Sequence, residues 1–269
     1  KLQWLARNQP GLRAKLADGS ALIGTVDTYL IYRLTGGKVF ACDTTNASRT
    51  LLFDLTRLDW DDELCALWEV PRAALPEVRD CTAVVGETTL DGALARPLPI
   101  CGVMGDSQAS LFAQRCFEPG STKATFGTGT SLLMNIGAQP RFSSQGVLTA
   151  LAWTHAGAPT YAFEGIVISS GATLTWLRDQ LGLVRDAAEF EPLARSVPDN
   201  GGVYLVPAFG GLGLPQWSPN ARAALTGLSN QSDRRHVARA GLESIAYQIR
   251  DALEALRAEA GEPLVTLHA

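Results

Sequence analysis

Residues 99–116 read Pro-Ile-Cys-Gly-Val-Met-Gly-Asp-Ser-Gln-Ala-Ser-Leu-Phe-Ala-Gln-Arg-Cys. The apolar run from Pro99 to Met104 has the look of a short buried strand. It breaks at Gly105, and a helical pattern follows to Cys116. A strand that feeds a helix is the unit from which α/β proteins are assembled. Ligands of open α/β sheets collect beyond the carboxyl ends of strands, which is where Asp106 falls. Asp is also among the best N-cap residues, and position alone favours the cap over a chemical role.

Downstream, Ser121–Phe126 and Ser131–Ile136 read as strands joined by Gly127-Thr128-Gly129-Thr130. Such a turn offers backbone N–H groups and hydroxyls to phosphate oxygens. Gly and Thr between two β runs also make an ordinary hairpin. A strand-like run, Thr160–Ile168, leads into Ser169-Ser170-Gly171 and a helix through Trp176 and Leu177. That helix start is either a second anion site or a plain cap. Gly210–Pro215 reads as a loop. A long helix is expected from Asp233 to Ala260, capped by Ser232 and stopped by Gly261, with Val237, Ala240, Ile245, Ile249, Leu253 and Leu256 on one face. Pro263–His268 reads as a buried strand.

Upstream, Leu2 and Leu5 have helical spacing, and residues 22–34 form a helix that stops at Gly36. Asp43–Asp54 reads as loop and short strand. Asp61-Asp62-Glu63 open a short helix that ends before Pro71. Strands and helices interleave without internal repeat, so the chain is α/β or mixed α+β, with two lobes meeting after residue 115. Both ends look cut, as in a segment of something longer.

The 269 residues are 46% hydrophobic and 19% charged, as in a globular protein with a sizeable core. The net charge of −4 is spread without blocks, which gives no electrostatic footprint for a nucleic acid. No apolar stretch approaches the length of a membrane span, and no signal-peptide layout is present. Five widely spaced cysteines fit reduced thiols in a cytoplasmic protein. None has a neighbourhood that argues for a nucleophile. Three scattered histidines argue against a histidine metal site. His155 is expected in a surface loop and His236 facing solvent; Trp153, Trp176 and Trp217 are core or pocket wall.

Taken in order, several motifs resemble the FGGY family of carbohydrate kinases. They are Lys1–Leu5, Gly24–Gly37, Thr44-Thr-Asn-Ala-Ser-Arg-Thr50, Leu58–Asp62, Gly102–Phe112, Phe126–Thr130, Val206–Trp217 and Ala223–Glu243. The resemblance covers essentially the whole chain. It implies an actin/hexokinase-like (ribonuclease H-like) α/β fold of two domains closing on ATP and substrate. Residues 1–117 would belong to the first, substrate domain and 118–269 to the second, nucleotide domain. It also reverses the reading of Asp106, which becomes the base toward an acceptor hydroxyl. Gly127, Thr128 and Gly129 would meet the nucleotide phosphates, and Gly171 and Thr175 would lie against the nucleotide.

The activity so implied is ATP-dependent phosphorylation of a polyol or sugar, glycerol to glycerol 3-phosphate before others. Ser107 stands where glycerol-phosphorylating members carry Gln, and Ser131 where they carry an aromatic. Thr175 replaces a helical Gln. Two small hydroxyl residues make the acceptor pocket larger and more polar, so a larger polyol or a ketose such as a pentulose stays open. So does a non-catalytic sugar-binding or regulatory protein on the same fold. The basic, Gly-rich regulatory loop of some members is not evident in Leu90–Pro99. The resemblance puts the ligands of Mg²⁺, an Arg-Glu pair and Tyr for substrate, and the adenosine loop outside these residues. No metal ligand is assigned within them, and the segment alone is expected to be inactive. Neither nucleic acid nor membrane is expected as a partner, and homo-oligomerisation stays open.

Overall fold

The computed structural model describes residues 1–261 and 263–269. The chain divides into two compact units. The first holds Lys1–Ala113, Gly137–Pro140 and Ala150–Ala162; the second holds Gln114–Ile136, Arg141–Thr149 and Phe163–Ala269.

In the first unit, Ala41–Asp43 pairs in parallel with Glu77–Arg79, with Cys42 opposite Val78. Two antiparallel pairs accompany it, Phe53–Asp54 with Asp59–Trp60 and Gly86–Thr88 with Leu98–Ile100. Cys42, Ala47, Leu52, Phe53, Trp60, Cys65, Val70 and Leu75 form one buried cluster. Trp60 meets Phe53 edge-on at 5.9 Å, and its Nε1–H donates to the Pro76 carbonyl at 2.8 Å. This buries a large ring without stranding its polar atom.

The expected helices appear as Leu2–Asn8, Val26–Leu34 and Asp62–Leu67, the last capped by the Asp61 side chain. Thr44–Ala47 is a further short helix where loop was expected. Thr and Asn are weak helix formers, and the turn exists because Asp43 accepts the N–H groups of Thr45 and Asn46. The strand expected over Pro99–Met104 is shorter and more exposed, Leu98–Ile100, with extended chain beyond it. Pro99 lacks an N–H for a second neighbour, which keeps this segment at an edge.

The largest sheet has five strands in the order Thr266–His268, Ser121–Phe126, Thr130–Gly137, Ala158–Val167, Leu148–His155. Ser121–Phe126 and Thr130–Gly137 are antiparallel, with Phe126 opposite Thr130; Thr266–His268 joins the other side of Ser121–Phe126 in parallel. The terminal strand is exposed rather than buried because it has one neighbour and lies at the edge. Leu148–His155 was not anticipated. Residues 150–154 are buried on both faces, which erases the alternation that marks a strand. His155 therefore ends a strand rather than sitting in a loop, and its Nδ1 lies 3.1 Å from Thr82 Oγ1.

In the second unit, the helices Gly171–Asp179, Phe190–Arg195 and Arg234–Ala260 share a buried cluster with Val203 and Leu205. The long helix buries Ala238, Ala240, Gly241, Ser244, Ile249, Ala252, Leu256 and Ala260, a stripe rotated slightly from the expected one. Its cap is Asp233, not Ser232. The Asp233 carboxylate accepts the Arg235 N–H at 2.9 Å, and His236 Nδ1 accepts the Asp233 N–H at 3.2 Å. His236 is thereby a largely buried capping partner, its side chain 16% exposed, rather than a solvent-facing residue. Gly261 closes the helix in the left-handed conformation.

Candidate active site

Asp106 is the first residue of the helix Asp106–Ala113 and is exposed. Its Oδ1 accepts the Ser107 N–H at 2.7 Å. The helix is held from its other side: Leu111 is fully buried, Gln108 nearly so, and Phe112 meets Trp153 edge-on at 5.4 Å. The preceding Gly105 accepts the Ala109 N–H at 2.7 Å and donates its own N–H to Thr45 Oγ1 at 2.8 Å. A carboxylate is thus set on a rigid helix start and open to a ligand.

The turn Gly127–Gly129 and the helix start at Gly171 form one construction in the second unit. The N–H groups of Ser170 and Ala172 donate to the Thr128 carbonyl at 2.9 and 3.0 Å, and that of Gly171 donates to the Gly127 carbonyl at 2.9 Å. The reading of Ser169–Gly171 as a separate anion site loses its donors at the helix start for this reason: the N–H groups of Ser170 and Gly171 are already occupied. The N–H groups of Thr128 and Gly129, by contrast, find no acceptor among the described residues. With the exposed Thr128 hydroxyl they suit a phosphate oxygen.

Backbone contact explains two of these glycines. A Cβ on Gly129 would lie 2.4 Å from the Val167 carbonyl oxygen, and one on Gly171 would lie 2.5 Å from that of Gly127. Gly127, Thr128, Gly171, Ala172, Thr175 and Trp176 border one cleft of about 470 Å³. Thr175 donates its hydroxyl to the Gly171 carbonyl at 3.1 Å, and Trp176 rests on Phe209 with centroids 4.7 Å apart. An apolar wall beside paired phosphate donors fits a nucleotide. Of the other tryptophans, Trp153 is buried, whereas Trp217 is partly exposed and donates to the Gly146 carbonyl at 2.7 Å.

Ser131 follows the turn on the strand Thr130–Gly137, opposite Thr125. Lys123 Nζ lies 2.8 Å from Thr125 Oγ1 and 3.5 Å from Ser131 Oγ, and the whole lysine is buried. Sequence reading missed Lys123, although a lone lysine between strand residues that alternate with hydroxyls was the available signal. Asp43 and Thr45 carry no signal of a role in the sequence alone. Burial raises the Cys42 and Cys81 thiols above their ordinary range, in keeping with cysteines that do no chemistry. Among the described residues no cluster of His, Cys, Asp and Glu could hold a metal ion, and no helix is long and apolar enough to cross a membrane.

Family models match both halves of the chain. The N-terminal domain model of the FGGY family of carbohydrate kinases matches residues 1–113, and the C-terminal domain model matches residues 122–269. The chain belongs to the FGGY family of carbohydrate kinases. The expected α/β, actin/hexokinase-like fold stands with that membership.

As an FGGY family member it has close relatives. Glycerol kinase of Shewanella sp. (strain MR-4) is 51% identical over 267 residues, 99% of this chain and 54% of the relative. Glycerol kinase of Nitratidesulfovibrio vulgaris is 48% identical over 269 residues, 100% of this chain and 54% of the relative. Among solved structures, Plasmodium falciparum glycerol kinase with ADP superposes with a TM-score of 0.91 at 35% identity, covering 99% of this chain and 53% of that one. Xylulose kinase of Rhodospirillum rubrum gives 0.80 at 26% identity, covering 97% and 52%. The chain spans about half the length of the curated relatives it matches.

Proposed function

We propose that the protein transfers the terminal phosphoryl group of ATP to a hydroxyl of glycerol, with Asp106 as general base. The observation that carries this reading is identity of about half to glycerol kinases along nearly the whole chain. Phosphoryl transfer asks little covalent work of a protein; it needs an aimed acceptor and stabilised phosphate charge. The Asp106 carboxylate accepts the proton of the acceptor hydroxyl as that oxygen attacks phosphorus and ADP departs. Ser107 and Ser131 contact the acceptor. Thr128 and Gly129 offer N–H groups to the phosphates, with Gly127 and Gly171 beside them and Thr175 along the nucleotide. Mg²⁺, when bound with ATP, supplies further neutralisation of phosphate charge. On this reading residues 1–117 serve the acceptor and 118–269 the nucleotide.

A second reading, a larger polyol or a ketose as acceptor, is favoured by the small hydroxyl residues Ser107 and Ser131. ADP release by the intact protein, measured with glycerol and with a panel of polyols, pentuloses and hexuloses, separates the two. Turnover highest with glycerol supports the first reading, and turnover highest with a ketose supports the second. No turnover with any acceptor contradicts both.

A further inference from the structure

We infer that Thr45, oriented by Asp43, is a positioning residue for Asp106; the inference rests on Asp106 being the base. Asp43 is fully buried, and its carboxylate receives five hydrogen bonds. Oδ2 accepts the Thr45 N–H at 2.8 Å, the Thr45 hydroxyl at 2.5 Å and the Cys81 thiol at 3.2 Å. Oδ1 accepts the Asn46 N–H at 3.1 Å and Asn46 Nδ2 at 2.6 Å. The Asp43 backbone is anchored as well, by its place in the parallel strand pair and by donation of its N–H to Asp27 Oδ2 at 3.2 Å.

A hydroxyl has one proton and two lone pairs. The Thr45 proton is committed to Asp43, so its oxygen is left as an acceptor only. What it accepts is the Gly105 N–H, at 2.8 Å and 60 residues away in sequence. The Gly105 carbonyl is fixed in turn by Ala109. The peptide groups on both sides of Gly105 are therefore pinned, one by Thr45 and one by the helix it opens, and Asp106 is the next residue. Close approach is part of the design: a Cβ on Gly105 would lie 2.8 Å from Gln108 Oε1 and 3.6 Å from Thr45 Oγ1. Capping of the Thr44–Ala47 turn needs only the backbone N–H groups that Asp43 accepts, which leaves the Thr45 hydroxyl free of that duty.

A base displaced by a fraction of an ångström loses rate rather than binding. The relay thus makes a prediction that a merely structural threonine does not. In the intact protein, Thr45→Val should lower kcat with glycerol by about 10- to 100-fold while ADP affinity stays within about twofold. Thr45→Ser, which keeps the oxygen, should recover kcat to within about threefold of the parent. Amide hydrogen exchange at Gly105 should accelerate by about tenfold or more in Thr45→Val and not in Thr45→Ser. If Thr45→Val does not fold, Thr45→Ala removes the same oxygen without a steric demand and carries the same expectations. Parent-like kcat in a folded variant without the hydroxyl, or unchanged Gly105 exchange, overturns the relay. Loss of turnover in Asp106→Asn beside normal turnover in Thr45→Val sinks the relay alone. Normal turnover in Asp106→Asn sinks the assignment of the base itself, and Gly105 exchange then still decides whether Thr45 holds that peptide.

Discussion

The Gly171 N–H donates to the Gly127 carbonyl oxygen at 2.9 Å, so the turn after Phe126 and the start of the helix Gly171–Asp179 are one hydrogen-bonded body. The same oxygen would sit 2.5 Å from any Cβ placed on Gly171, and backbone cannot retreat as a flexible side chain can. Gly171→Ala should therefore push the turn away and weaken ADP binding by about tenfold or more, the worth of one charge-assisted hydrogen bond. Titration calorimetry of the intact protein checks this; ADP affinity unchanged from the parent contradicts it.

Leu111 anchors the helix that carries Asp106 and is fully buried. Leu111→Ala should cost about 2–5 kcal/mol, the transfer term plus the cavity left behind. Urea denaturation reads this directly. A loss below about 1 kcal/mol would mean that the site collapses around the deletion, or that the helix is not anchored there.

Burial raises the Asp27 carboxyl above its ordinary 3.8, against the hydrogen bonds it accepts from Thr25 and from the Asp43 N–H. The native state then holds this proton more tightly than the unfolded chain. Its contribution to stability is fully present below the unfolded value and is lost as pH rises through the higher native value. The stability of the parent relative to Asp27→Asn should thus fall as pH rises from the acid range toward neutrality. Denaturant titrations of both proteins across that range test it, and a parent advantage that grows with pH would contradict it.

Much of this fold was legible because its signals are local. The helix starts at Asp61 and Gly171, the hairpin around Gly127–Gly129 and the stop at Gly261 each follow from residue chemistry at fixed offsets. What escaped depends on partners distant in sequence. The strand Leu148–His155 is buried on both faces, so its apolar run carries no period. The turn Thr44–Ala47 consists of weak helix formers and exists through the Asp43 cap. The site divides the same way. Asp106 and the Gly-Thr-Gly turn stand out as motifs, whereas the contact of Thr45 with Gly105 spans 60 residues and leaves no trace in either segment alone. The supposed anion site at Ser169–Gly171 failed because sequence does not reveal which N–H groups are already bonded.

Ser131 stands beside the buried Lys123 on the strand after the turn. Ser131→Phe narrows and dries that position. On the glycerol reading, it should leave glycerol turnover within about fivefold and depress any turnover of larger acceptors by about tenfold or more, the scale of discrimination a pocket wall provides. The kcat/KM ratio between glycerol and a pentulose, before and after the change, measures it. A ratio that does not move would remove Ser131 from the acceptor pocket.

The role of Asp106 is decided by the turnover of Asp106→Asn in the intact protein, followed as ADP release with ATP, Mg²⁺ and glycerol. Asn keeps the size of the side chain and the hydrogen bond to the Ser107 N–H but takes no proton. With Asp106 as the base, kcat should fall by about 10²- to 10⁴-fold while ADP affinity stays close to that of the parent. A kcat within a few-fold of the parent would contradict it.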